Sequence, residues 1–129
     1  MINSQVSFYT LSNLFQMMEN GSISAPSFGR GFVWTTELVK NLFDSINNGY
    51  PIGMISVVEG KSNQFDRSPS EKSYFPDPDL EGFDTWKTLW LLDGSQRLAA
   101  LYSVLKGKQN NIELYYDLKK GEFFLDKSL

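Results

Sequence analysis

The stretch that most constrains the fold is the apolar run Leu89-Trp90-Leu91-Leu92, which stops abruptly at Asp93-Gly94. A run without polar alternation reads as a central strand covered on both faces, and the spacing places this strand over Thr85 to Leu92. Within two residues an amphipathic pattern begins. Leu98, Leu101, Tyr102 and Leu105 share one helical face between Ser95 and Lys106, and Gly107 closes the segment. A buried strand, a tight glycine turn and a helix follow one another with almost no connecting chain. Such a turn aims free backbone N–H groups and the positive end of a helix dipole at one spot, where an anion can sit. Asp93, Gln96 and Arg97 crowd the same spot.

The rest of the chain must supply partners for that strand. Leu11, Leu14, Phe15 and Met18 recur at helical spacing, with Thr10 as the N-cap and Gly21 as the stop. A short extended piece at Ile23 leads into an irregular loop, Ala25-Pro26-Ser27-Phe28-Gly29-Arg30-Gly31-Phe32-Val33-Trp34. Arg30 there lies between two glycines. It is either a surface arginine in a loop pinned by Phe32 and Trp34, or an arginine delivered to an anion.

Thr35 to Asn48 is a helix with Val39, Leu42, Phe43 and Ile46 on one stripe, widened by Leu38, and Gly49-Tyr50-Pro51 ends it. Pro51 to Val58 has the β-branched content of a strand. Gly53 within it allows close approach of another backbone or a ligand, or serves packing alone. Residues 60–84 form a long polar loop or insertion, expected to be the most mobile region, with Phe65, Tyr74, Phe75 and Phe83 as points where it docks. Ile112 to Leu118 and Glu122 to Asp126 are two strands joined by a Lys119-Lys120-Gly121 turn. The order of elements is not that of a doubly wound sheet. It predicts a compact α+β domain with a small mixed sheet flanked by helices, one domain over residues 1–129.

Composition removes several chemistries. The chain has no cysteine and no histidine, which excludes disulfides, thiol catalysis, thiolate zinc sites and histidine-based dyads. Twelve Lys plus Arg against fifteen Asp plus Glu give a net charge of −3, and no basic run occurs. That balance opposes non-specific nucleic-acid binding, which depends on clustered cations. No apolar run approaches the roughly 18 residues of a membrane span, and no signal peptide is visible, so a cytoplasmic protein is expected.

Two readings of 93–97 stand side by side. In one, Gly94, Ser95 and the following amides cradle phosphate oxygens, and Arg97 reaches them with its bidentate fork. Asp93 would then hold a Mg²⁺ on those phosphates or orient an attacking water. Gln96 would position the water or bind a base or ribose hydroxyl, and Arg30 would add a second positive charge. In the other, Asp93 and Gln96 form an acidic capping box, and Asp93 pairs with Arg97 four residues on. Without a Gly-Lys-Ser/Thr sequence the turn is not a standard P-loop.

Leu91-Leu92-Asp93-Gly94-Ser95-Gln96-Arg97-Leu98-Ala99-Ala100-Leu101 resembles the DGQQR motif of the large bacterial family called domain of unknown function 262. That family includes the N-terminal half of GmrSD-type modification-dependent restriction enzymes and related phage-defence proteins. Ala25 to Trp34 resembles the family's early Pro-x-x-Q-R-x-aromatic-x-W segment, and Gly49 to Gly53 resembles its next block, in the same order.

The resemblance implies a ParB/sulfiredoxin-like fold whose motif loop binds nucleoside triphosphate phosphates with Mg²⁺, hydrolysing them in relatives. On the matching positions it implies Asp93, Gln96 and Arg97 as catalytic residues, with Asp93 also the metal ligand. It implies Arg30, Trp34, Gly94, Ser95 and Arg97 as nucleotide-binding residues. Ser95 stands where the family has Gln, and Gly29 where Gln precedes the arginine. The implied partners are a nucleoside triphosphate and a nuclease domain or subunit outside this chain, with DNA engaged only through the full-length protein and no membrane contact. The chain is expected to be the front part of a longer protein. The alternative from another class is a non-catalytic DNA- or protein-binding regulatory module with a ParB-like fold.

Overall fold

The computed structural model describes residues 4–79, 87–107 and 112–125. The elements run α1 (Leu11–Glu19), β1 (Ile23–Ser24), α2 (Thr36–Asn47), β2 (Ser56–Gly60), α3 (Ser70–Ser73), β3 (Thr88–Asp93), α4 (Ser95–Lys106), β4 (Leu114–Asp117) and β5 (Glu122–Leu125). Of the expected strand over 85–92, Thr85 and Trp86 lie outside the described residues, as do Phe83 and Asp126.

β3 is the central strand of a three-stranded mixed sheet, parallel to β1 and antiparallel to β2. Thr88, Trp90 and Leu91 are buried on it, whereas Leu92, expected to be covered like the rest of the apolar run, is exposed. The β2–β3 register slips between Ser56 and Val57: Val57 pairs with Leu91 but Ser56 pairs with Asp93. Leu92 is thus left opposite no residue, a bulge that re-aims the end of β3 directly before the Asp93-Gly94 turn.

The helices begin as their sequences dictate. The Thr10 hydroxyl accepts from the Asn13 amide at 3.1 Å, and that of Thr35 from the Leu38 amide at 3.2 Å, each satisfying a first-turn donor. Phe15 and Met18 of α1 and Val39, Leu42 and Phe43 of α2 join Leu91, Leu98, Leu101 and Tyr102 in one core. Each such side chain contributes about 1.5–3 kcal/mol by leaving water. Leu38 and Ile46, at the edges of the α2 stripe, are exposed.

Three expectations need correction. α4 is buried over the whole of Leu98 to Ser103, not along one stripe, because α2 and α3 also pack on it. Leu105, expected on its core face, is 53% exposed, while Val104 beside it packs against the core. The strand expected from Pro51 begins only at Ser56. Gly53 has φ +96°, and the carbonyls of Ile52 and Met54 accept from the Arg97 side chain instead of a neighbouring strand.

The polar excursion after β2 is docked along residues 61–79. Phe65 meets Phe28 and Trp90 edge-on, both at 5.3 Å between centroids. Arg67 lies over the Trp90 ring, and donates to the Gly21 carbonyl and the Ser24 hydroxyl. Residues 80–84 of the expected loop lie outside the described ones. The closing hairpin forms as its turn sequence predicts, in a separate two-stranded sheet packed on α2 through Phe43 and Phe123. Its turn is held by the Asp117 carboxylate, which accepts from the amides of Lys119 and Lys120. These bonds hold the Asp117 pKa below its ordinary value. No helix among the described residues is long and apolar enough to cross a membrane.

Candidate functional site

At the end of β3 a pocket of about 410 Å³ opens, lined from one side by residues 91–97 and from the other by Ala25, Pro26, Phe28, Gly29, Arg30 and Trp34. The two segments are about sixty positions apart, and the parallel pairing of β1 with β3 brings them together. Ile23 lies opposite Leu89 and Ser24 opposite Trp90, so the chain leaving β1 runs beside the chain leaving β3.

The turn itself is built by Gly94, the residue capping α4. It has φ +95°, and no side chain caps the helix. A Cβ at Gly94 would approach Ile55 and the Arg97 guanidinium within 3.0–3.3 Å. Glycine therefore suits both the backbone conformation and the closeness of its neighbours. The first intrahelical bond is Leu98 N–H to the Gly94 carbonyl at 3.0 Å. The amides of Ser95, Gln96 and Arg97 precede it, at the positive end of the helix dipole.

The capping-box expectation is thereby corrected. Asp93 is the last residue of β3, not the cap, and its side chain is 77% exposed. Gln96 does not reach back to the helix start. Its Oε1 accepts from the Val33 amide at 2.9 Å and its Nε2 donates to the Gly31 carbonyl at 2.8 Å. The Asp93–Arg97 pair does form, at 3.9 Å. Pairing at that separation, with one partner exposed, contributes well under about 1 kcal/mol.

Arg97 is held mainly by backbone. Its guanidinium donates to the Ile52 carbonyl and, at 2.7 Å, to the Met54 carbonyl. Gly53 between them leaves the room: a Cβ there would fall on Nη1 of Arg97. Arg30 differs. It is exposed, lines the pocket, and makes no hydrogen bond or ion pair among the described residues. Its loop is gripped from behind by the excursion. The Phe32 amide donates to the Lys72 carbonyl at 2.6 Å, Phe32 stacks on Tyr74 at 4.4 Å, and Lys72 Nζ donates to the Ser27 carbonyl at 3.2 Å. Gly31 passes so close to Lys72 that a Cβ would lie 2.8 Å from its Cγ.

The sequence pattern described as GmrSD restriction endonuclease, N-terminal domain, matches residues 11–128. The chain belongs to that family. Neither the curated proteins nor the solved structures contain a match. The GmrSD N-terminal match takes in both walls of the pocket and the 61–79 excursion that supports one of them.

The structure thus places Arg30, Trp34, Asp93, Gly94, Ser95, Gln96 and Arg97 around one opening. It also brings in residues that the sequence did not assign to the site. Phe28 lines the pocket while 73% exposed. Gly53 is the seat of Arg97, and Lys72 and Tyr74 buttress the Arg30 loop. Gly53 carried a signal as a glycine inside an apparent strand, and Tyr74 as an aromatic expected to dock the polar loop.

Asp93 is the one carboxylate among the pocket-lining residues, and no group of three or more acidic, His or Cys residues suited to a metal occurs among the described ones. One exposed carboxylate suits a Mg²⁺ that arrives with phosphates and keeps several waters, not a protein-caged ion.

Proposed function

We propose that this GmrSD N-terminal domain binds a nucleoside triphosphate, as its Mg²⁺ complex, in the pocket between residues 25–34 and 91–97. The domain would serve a restriction or phage-defence protein in which a nuclease outside this chain acts on DNA. The observation that carries this reading is the meeting, across one pocket, of Arg30, which bonds nothing among the described residues, with a start of α4 that no side chain caps. Helix capping gives those two no reason to meet. A volume of about 410 Å³ lies within the roughly 300–1,000 Å³ common for small-molecule sites.

In this reading the amides of Ser95, Gln96 and Arg97 and the Arg30 fork take the phosphate oxygens. Trp34 and Phe28 offer apolar surface to the rest of the ligand. Mg²⁺, held by Asp93, supplies charge neutralisation on the phosphates. Asp93, exposed and paired with Arg97 only at 3.9 Å, is also the group that would orient a water for hydrolysis, because the Gln96 amide is engaged with Gly31 and Val33.

The test is calorimetry with ATP and GTP, each with Mg²⁺, on the wild type and on Arg30→Ala, Asp93→Ala and Arg97→Ala. Binding by the wild type and weaker binding by all three variants is expected. No binding by the wild type, or equal binding by every form, rejects the proposal.

A further inference from the structure

We infer that Gln96 is a positioning residue, which sets the reach of Arg30 by stapling the Arg30 loop to the first turn of α4. This rests on the pocket reading above and deepens it.

The amide group of Gln96 has one acceptor and one donor side, and the loop presents the complement of each. The Val33 N–H can only donate, so it fixes Oε1, and the Gly31 carbonyl can only accept, so it fixes Nε2. Both bonds are of good length, at 2.9 and 2.8 Å. They grip the chain one residue and three residues beyond Arg30. On its other side the same short stretch is held by Lys72 and Tyr74. Arg30 itself makes no hydrogen bond or ion pair among the described residues to fix it. The position of its guanidinium therefore depends on the backbone at Gly31 to Val33, and that backbone is tied to the phosphate-facing helix turn through Gln96.

A carboxylate cannot replace this amide. Glu at 96 could still accept from Val33 but would set a negative oxygen against the Gly31 carbonyl. The staple also means that Gln96 reaches a ligand through Arg30 and not by contact.

Two measurements on the whole chain test this. The first needs no ligand: hydrogen exchange of the Val33 amide in Gln96→Ala and Gln96→Leu, neither of which can accept from it. Loss of both bonds is expected to speed Val33 exchange about tenfold in Gln96→Ala, with α1 amides unchanged. If Gln96→Ala also speeds α1, it has unfolded, and Gln96→Leu, which keeps most of the volume, decides.

The second is the affinity for Mg²⁺–ATP and Mg²⁺–GTP in a cycle with Arg30→Ala. Gln96→Ala is expected to weaken binding about tenfold alone and to have almost no effect once Arg30 is absent. Unchanged Val33 exchange overturns the inference. So does a Gln96→Ala loss that is the same with and without Arg30, because Gln96 would then act on the ligand directly. A wild type that binds neither nucleotide rejects the proposed function instead, and the exchange result then decides the staple by itself.

Discussion

Arg97 and Arg30 line the same pocket and are held in opposite ways. Arg97 is the motif arginine, four residues after Asp93, with its side chain only 19% exposed. Its guanidinium is spent on two carbonyls of its own chain, across a glycine that leaves it room. Arg30 stands on an irregular loop, exposed, with nothing among the described residues to bond. One arginine organises the protein, and the other, in the proposed reading, is left for the ligand. An arginine that satisfies backbone carbonyls is difficult to remove without structural loss. An unpartnered one is dispensable for folding and valuable for binding.

The largest effect is expected from Arg97→Ala. Hydrogen bonds from a charged donor are worth about 1.5–3 kcal/mol each, so a total loss of about 3 kcal/mol is expected in urea denaturation. A stability equal to the wild type would break the contrast between the two arginines. Gly53→Ala should follow, at about 1–3 kcal/mol, from a positive φ forced on a residue with a Cβ. Part of that cost comes from displacing Arg97, so it should shrink when measured in an Arg97→Ala background.

Arg30→Ala is the converse. Its stability should stay within about 0.5 kcal/mol of the wild type, while affinity for a Mg²⁺ nucleotide falls about tenfold, the loss of one charge-assisted fork. A variant that unfolds easily but binds normally would reverse the assignment.

The smallest effect lies outside the pocket lining. Tyr102 is buried, its hydroxyl donating to Glu19. Burial first, and the Glu19 charge second, push its pKa up to about 12. The folded state therefore favours the neutral phenol. Its contribution is complete below the unfolded value near pH 10 and is lost as pH rises through about 12. Tyr102→Phe should flatten that alkaline limb in a thermal-melt series, and Arg30→Ala should leave it unchanged.

The elements were legible in the sequence where local chemistry decides them. Thr10 and Thr35 cap their helices because a hydroxyl at that position meets an orphan amide. Ser95 to Lys106 is helical over the expected span, and Lys119-Lys120-Gly121 turns the hairpin. What failed depended on distant groups. Pro51 to Ile55 has strand composition, yet Arg97 takes its carbonyls, and no local pattern records a side chain arriving from forty positions away. Asp93 and Gln96 fit a capping box by spacing, but the strand ends one residue later than that motif needs, and Gln96 finds better partners across the pocket. The meeting of Arg30 with the 93–97 turn was anticipated from the order of two motifs. Its support by Lys72 and Tyr74 was not, because a polar stretch without periodicity gives no sign of what it will pack against.

That support has a consequence for how the arginine can be shifted. The backbone beneath Arg30 is braced by Lys72 and Tyr74, about forty residues from either wall of motif residues on one side and twenty on the other. Alterations in the excursion can shift the arginine by fractions of an ångström while both pocket walls keep their own residues. The excursion is then a second handle on where Arg30 stands, separate from the residues of either pocket wall.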